Sequence, residues 1–448
     1  MMFSFPRLSA LLLTAGLVGG CAAVPELDGQ PVTAVPARAL MQPSATEPRL
    51  AAPDFGDAGL RRMLAEADLN GLDIAAARGR ARAADLALQG AAGGRWPSVS
   101  ASGSAARDGY SSGLSVSFDP DLSGRLSAQL NAAGLDARAA GLDLLIARRV
   151  LAREVTTGWV ALSEAQTNRQ RSHARLSLAT REVELTRARL SGGEIAGTGL
   201  GEALNRRQVA QVAAATSDGQ IALAAARLRA LGVRTIPDAI SLRSVTLPVV
   251  PSQTDLGRAQ CTPEVRAAWL RFHSADASRA EALLAARPRL VATASLSSAG
   301  KTLAGLVSGN PLALAASLSV DGAVLDGGQS RNRLDQARLN VAQAEIAWLQ
   351  ARSRAEIAML EASIELIAAR AALDGALDGY RIADTERTRT RARHAAGVDD
   401  GSSAVSADSA VLETQMAVDA ARARAFRAAA IWQDATGAQI AGCAAGTI

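Results

Sequence analysis

The sequence predicts a mainly α-helical protein with a membrane β-barrel, organised as two tandem repeats, each made of long coiled-coil helices and a β-hairpin. Three observations predict it. Short runs of period-two alternation interrupt otherwise helical sequence, two proline-free stretches far exceed an ordinary helix, and one phrase occurs twice. "RARLSGGEIAG" begins at Arg187 and "RARHAAGVDDG" at Arg391, 204 residues later. Both read Arg-Ala-Arg, three residues, Gly, three residues, Gly. At the same offset Gly124 meets Gly328, Ala133 meets Ala337, Leu135 meets Leu339, Glu182 meets Glu386, Thr186 meets Thr390 and Gln211 meets Gln415. A fixed offset over such a range marks structural repeats.

Residues 1–20 read as a lipoprotein signal peptide. Arg7 precedes an apolar run from Leu8 to Val18, too short to span a bilayer, and Gly19-Gly20 lead into Cys21. The pattern resembles a bacterial lipobox, in which cleavage leaves Cys21 as the mature N-terminus carrying diacylglycerol and palmitate, the alternative being an ordinary signal peptide with an incidental cysteine. Ala22 rather than Asp follows it, which points to the outer membrane. Residues 21–57 are proline-rich and aperiodic, a tether.

The first repeat is expected over 58–232. Leu60, Leu64, Leu69, Leu72 and Leu86 recur at helical spacing from Ala58 to about Gly93, and Trp96-Pro97 stops them. Ser98, Ser100, Ser102 and Ser104 then alternate with Val99, Ala101, Gly103 and Ala105, a strand signature. Asp108-Gly109 signals a hairpin turn, and Leu114, Val116 and Phe118 alternate with serines on the return, giving a β-hairpin at about 97–119. One helix is expected from 121 to about 190. Gly192, Gly193 and the "GTGLG" run read as a helix-to-helix turn, followed by a helix ending near Leu231. After a linker at 233–254 the order starts over: a helix from Pro263, a β-hairpin at about 289–320 with a longer Gly-rich loop, a long helix over about 326–394, and a last helix, so that repeat 2 spans 255–440. A tail at 441–448 remains.

Composition agrees with long, closely packed helices. Among 448 residues, 48% are hydrophobic, yet only 3% are aromatic, and alanine makes up much of the difference. The formal net charge is only +5 and Lys301 is the single lysine. Arginines are spread along helices among acids, which argues against a nucleic-acid patch. His173, His273 and His394 are far apart in sequence, and no catalytic or metal-ligand arrangement is legible, so neither an enzyme nor a cofactor is expected.

Two alternating hairpins have open edges and no stability alone. Four strands fall short of the about eight that close a small barrel. Several copies must therefore pool their strands, with the long helices leaving the membrane together as a tube. In this order and duplication, "CAAVP", "LAEADLNGLDIAAARGRARAA", "FDPDLSGRLSAQLNAA", "VLDGGQSRNRLDQAR" and "RARHAAGVDDG" resemble the TolC-type outer-membrane factors, over about Ala58 to Ile440. The resemblance implies a trimer, its 12-stranded β-barrel continued by an α-helical periplasmic barrel. It implies an outer-membrane channel in a tripartite efflux system, partnered by a periplasmic membrane-fusion adaptor and an inner-membrane RND-type transporter. A periplasmic coiled-coil lipoprotein without a pore, with a structural or adaptor role, is the alternative; it leaves the two equivalent hairpins unexplained.

The resemblance also places candidate residues. Asp399 and Asp400, with Glu194 at the neighbouring position in repeat 1, would lie at the periplasmic aperture as acidic gate residues, the alternative being capping residues of a solvated turn. Gly193, Gly197, Gly397 and Gly401 would form the helix-tip turns. Arg187, Arg189, Arg391 and Arg393 would pair with carboxylates of the adaptor or of a neighbouring helix, the alternative being an exposed helix face. Trp96, Tyr110 and Phe118 are candidates for an interfacial girdle. Cys261 begins the first helix of repeat 2 and Cys443 follows its last helix; in an up-and-down arrangement both are expected at the mid-tube belt, bonded or within bonding distance.

Overall fold

The computed structural model describes residues 55–106, 109–194, 196–244, 246–248, 256–300, 313–323 and 325–437. The leader, Cys21, most of the tether, the second hairpin's loop, Cys443 and the tail lie outside the described residues. The elements run α1 (Ala58–Asn70), α2 (Leu72–Gly93), β1 (Ser98–Ala106), β2 (Gly109–Phe118), α3 (Arg125–Ser191) and α4 (Gly197–Ala230). Two 3₁₀ turns, Leu242–Ser244 and Leu256–Cys261, lead into α5 (Pro263–Ala285), β3 (Arg289–Gly300), β4 (Ala313–Asp321), α6 (Gln329–Ala395) and α7 (Gly401–Gly437). Both long helices, α3 and α6, have 67 residues, a length of about 100 Å each.

Their starts differ from expectation in a repeated way. The helices begin at Arg125 and Gln329 rather than at 121 and 326, because Gly124 and Gly328 take left-handed φ values of 77° and 87° just before them. An aspartate upstream of each glycine collects the orphan amides. Asp121 accepts from the N–H groups of Leu126 and Ser127, both at 2.8 Å, and Asp326 accepts from Ser330 N–H at 2.8 Å.

The single helix expected over 58–93 is broken at Gly71, whose φ and ψ of −66° and 124° are extended. Hydrophobic periodicity continues through the break, so the pattern alone hides it. The cause is tertiary. Gly232, at φ +96°, closes the end of α4 against this point, and a Cβ added there would meet Asn70 C and Gly71 N at 2.9 Å.

Around the middle of α3 lies the larger of two hydrophobic clusters among the described residues, the smaller joining Leu366 and Ala369 of α6 to Ala425, Ala428 and Ala429 of α7. Trp159, Val155, Val160, Leu162 and Leu144 pack with Leu60, Met63 and Ile74 of α1 and α2, Leu228 of α4, and Phe426 of α7. Towards the far ends of the long helices the buried residues are smaller, Ala179, Ala203 and Ala210 with Val183 and Val405. This belt therefore holds the ends of both repeats on one axis. Trp159 is 1% exposed. Trp159→Ala is expected to cost about 3–5 kcal/mol, read as a large fall in unfolding temperature, while leaving the tips of the helices helical by hydrogen exchange.

The hairpins do not stand apart. β2 pairs with β3, so one antiparallel sheet forms in the order β1-β2-β3-β4 across the two repeats. Leu114 faces Leu296, and Phe118 faces Ala292. The strands do not fold back on the protein's own helices: every residue of β1 and β4 is exposed.

Candidate functional site: a two-faced sheet and paired helix tips

The register sorts the sheet into two faces, because successive side chains in a strand point oppositely. On one face lie Val99 and Ala101 of β1, Leu114, Val116 and Phe118 of β2, Ala292, Ala294 and Leu296 of β3, and Leu314, Leu318 and Val320 of β4. The other face carries Ser98, Ser100, Ser102 and Ser104, then Ser111, Ser115 and Ser117, then Thr293, Ser295 and Ser297, then Ser317 and Ser319. Its hydroxyls bond one another across strands, Ser100 to Ser115 at 2.8 Å and Ser104 to Ser111 at 2.7 Å. The apolar face is uncovered: Leu314 is 79% exposed, Val320 70% and Val99 64%. Among the described residues of a single copy, no element covers this surface or pairs with the outer edges of β1 and β4.

Of the proposed girdle residues, Tyr110 and Phe118 fall at opposite ends of β2 on the apolar face. Eight residues of strand separate them by about 27 Å along the strand. Trp96, 76% exposed, lines a shallow cleft with Phe118 at the helix end of the sheet.

The second uncovered surface is on α6. Against 19 buried residues in α3, α6 buries only Met359, Ala362, Ser363, Leu366 and Ala369. Its Ile346, Leu349, Ile357, Leu360, Ile364 and Ile367 are all about half exposed and recur at helical spacing. Among the described residues, no helix is long and apolar enough to cross a membrane.

At the far ends of the long helices the two repeats make the same turn. Gly193 and Gly397 both have φ +75°. Glu194 N–H donates to Arg189 O, and Val398 N–H to Arg393 O, each at 2.9 Å, satisfying the last carbonyls of each helix. Gly197 and Gly401 do not belong to the turns. They are the first residues of α4 and α7, so "GTGLG" is a helix start and not the helix-to-helix turn expected. Only the positive-φ positions need glycine; sequence spacing alone could not separate the two kinds.

The three candidate acidic residues each meet an arginine of the same chain. Arg189 reaches both repeats: its Nε lies 3.3 Å from Glu194 and its Nη1 3.4 Å from Asp400 and 3.1 Å from the Ser402 hydroxyl. Arg393 pairs with Asp399 at 2.9 Å, and Arg391 with Asp408 at 2.7 Å. Asp400 also caps α7, accepting from the Ser402 and Ser403 hydroxyls at 2.6 Å and from Ser403 N–H at 2.9 Å. The sequence marked Arg189 as a candidate partner for a carboxylate but not as a bridge between the two repeats.

Those contacts set the protonation behaviour of Asp400. The Ser402 hydroxyl first, then the Ser403 hydroxyl and amide, and then Arg189 hold its carboxyl well below the usual range. The unfolded value is about 3.9. A group depressed in the fold contributes stability above its unfolded pKa and loses it as pH falls through the folded one. The difference in stability between the wild type and Asp400→Asn is therefore expected to be constant from about pH 5 to 8 and to shrink below about pH 4. Unfolding curves of both proteins over that range check it.

Cys261 is buried at the start of repeat 2 and is disulfide-bonded. Cys443, its expected partner, lies outside the described residues. Among the described residues, no three His, Cys, Asp or Glu side chains are placed to hold a metal ion.

Neither a family profile nor a curated protein sequence matches the chain. Solved structures do. A membrane protein from Pseudomonas aeruginosa is 20% identical, with a TM-score of 0.77 over 91% of this chain and 100% of the other. The Campylobacter jejuni CmeC outer membrane channel is 17% identical, with a TM-score of 0.76 over 91% and 93%. The outer membrane protein VceC from Vibrio cholerae is 18% identical, with a TM-score of 0.72 over 86% and 97%.

Proposed function

We propose that this chain, whose fold is that of the TolC-type outer-membrane factors, is one subunit of a homotrimeric outer-membrane channel. It would serve as the passive exit duct of a tripartite efflux system for small molecules such as drugs, toxic compounds or metal ions, gated at its periplasmic tip. The observation that carries the reading is the two-faced sheet with open edges. An apolar face suits lipid, a serine face suits a water-filled lumen, and unpaired edges in lipid are forbidden by the cost of unsatisfied amides.

Four antiparallel strands leave β1 and β4 running in opposite directions. Copies can therefore join by the same antiparallel pairing, β4 of one to β1 of the next, and three copies supply the 12 strands that the resemblance implies. The apolar stripe of α6 would pack on the neighbouring copy. The helical tube would then reach the periplasmic adaptor, which links it to an inner-membrane RND-type transporter. Cys21 would carry the lipid that holds the chain at the outer membrane, and the Cys261–Cys443 bond would tie the end of α7 to the belt. Intact-mass measurement and non-reducing peptide mapping test these two points; an unmodified Cys21 or a free Cys443 would count against them.

The test of function is reconstitution. Protein purified from membranes in detergent is expected to migrate as a heat-modifiable trimer and to give discrete conductance steps in planar bilayers. A monomer that never conducts would remove the channel reading and leave the non-channel lipoprotein.

A further inference from the structure

We propose that the groove between the inter-repeat linker and helices α3, α4 and α7 is a binding site for a small oxyanion group, of the phosphate, sulfate or carboxylate class. Its cavity has a volume of about 1070 Å³. On its wall, Arg171, Arg243 and Arg422 converge on the single carboxylate of Asp419, which is 14% exposed. Arg171 bonds it at 3.0 Å and spends a further N–H on Gln415 at 2.7 Å. Arg243 and Arg422 stand 3.7 Å away, attracted but not hydrogen-bonded to it. Each guanidinium has five donors, so N–H groups remain to face the cavity.

The charge on this wall is not balanced. Asp218 is taken by Arg169 at 3.3 Å, and Glu164 by Arg427 at 2.7 Å. Arg229 and Asp238 offset each other in number. Around Asp419 three cations thus share one anion, and the side chain of Arg422 is only 18% exposed. Burial, with Arg243 alongside, pushes the Arg422 guanidinium below its ordinary value. Like charges crowded in a partly dry site are relieved by a counter-anion, and planar guanidinium forks match oxyanion geometry. The volume exceeds one phosphate, which leaves room for waters or for the rest of a molecule bearing the group.

The test uses the detergent-purified full chain and inorganic phosphate, at constant ionic strength set by chloride. The unfolding temperature of the wild type is expected to rise saturably with phosphate. Arg243→Gln changes a side chain that is 65% exposed and so tolerates replacement. It is expected to raise the half-saturating concentration about tenfold. Asp419→Asn removes the internal competitor and is expected to lower it. A wild type indifferent to phosphate, or an Arg243→Gln protein with an unchanged midpoint, overturns the proposal. Should Asp419→Asn fail to fold, the Arg243→Gln comparison decides alone. The proposal does not rest on the channel reading, and failure of one leaves the other standing.

Discussion

Leu114→Arg is expected to abolish insertion into the outer membrane, while Ser115→Arg, one residue away, is expected to permit it. Leu114 sits mid-strand in a row with Ala101, Leu296 and Leu314 on the apolar face. In the proposed trimeric barrel, an arginine facing lipid at that depth costs about 2–4 kcal/mol, hence roughly 6–12 kcal/mol across three copies. Ser115 belongs to the opposite face, where it pairs with Ser100 and Ser295. There an arginine points into water, at the cost of a hydroxyl bond, and adds a ring of positive charge. The expected readouts are loss of the heat-modifiable trimer from the membrane fraction for Leu114→Arg, and a trimer with altered ion selectivity for Ser115→Arg. Equal insertion of both variants would falsify the assignment of the faces.

Under the proposed gating at the tip, Arg189→Glu is expected to loosen the tip and raise the open population of the channel. Arg189 holds Glu194 of repeat 1 and Asp400 of repeat 2 at once. Exposed pairs of this kind are individually weak, about 0.2–1 kcal/mol each. Substitution by glutamate removes two of them and leaves three carboxylates, from both repeats, beside one another, so attraction becomes repulsion. In the proposed trimer the change is repeated in three copies and amounts to a few kcal/mol, enough to shift a two-state equilibrium of the proposed gate about tenfold or more. Single-channel recording should show longer open dwell times, reduced at high salt as screening weakens the repulsion. Arg187→Glu makes the same charge change without touching this bridge and serves as the control. If both variants conduct alike, the bridge does not restrain the tip.

Much of this was legible in the residues, for reasons that differ by element. The hairpins showed themselves because serine and small apolar residues alternate with period two, and only a sheet with two different environments demands that. The long helices showed as proline-free alanine-rich runs, and the repeat at offset 204 located both tip turns. What escaped were features without a periodic signature. Gly71 interrupts α1 and α2 inside an unbroken apolar pattern, because the end of α4 presses on it. Gly197 and Gly401 share the motif of the turn glycines yet begin helices, since φ is not written in residue type.

Local chemistry therefore determined the elements of this protein and their order: alternation made strands, alanine-rich runs made helices, and glycine and aspartate placed their ends. The tertiary structure alone decided that β2 joins β3, that Arg189 spans the two tips, and that Asp419 lies among three arginines. Each of those joins residues far apart in the chain, and such pairings depend on how whole helices pack rather than on any short-range preference of the backbone.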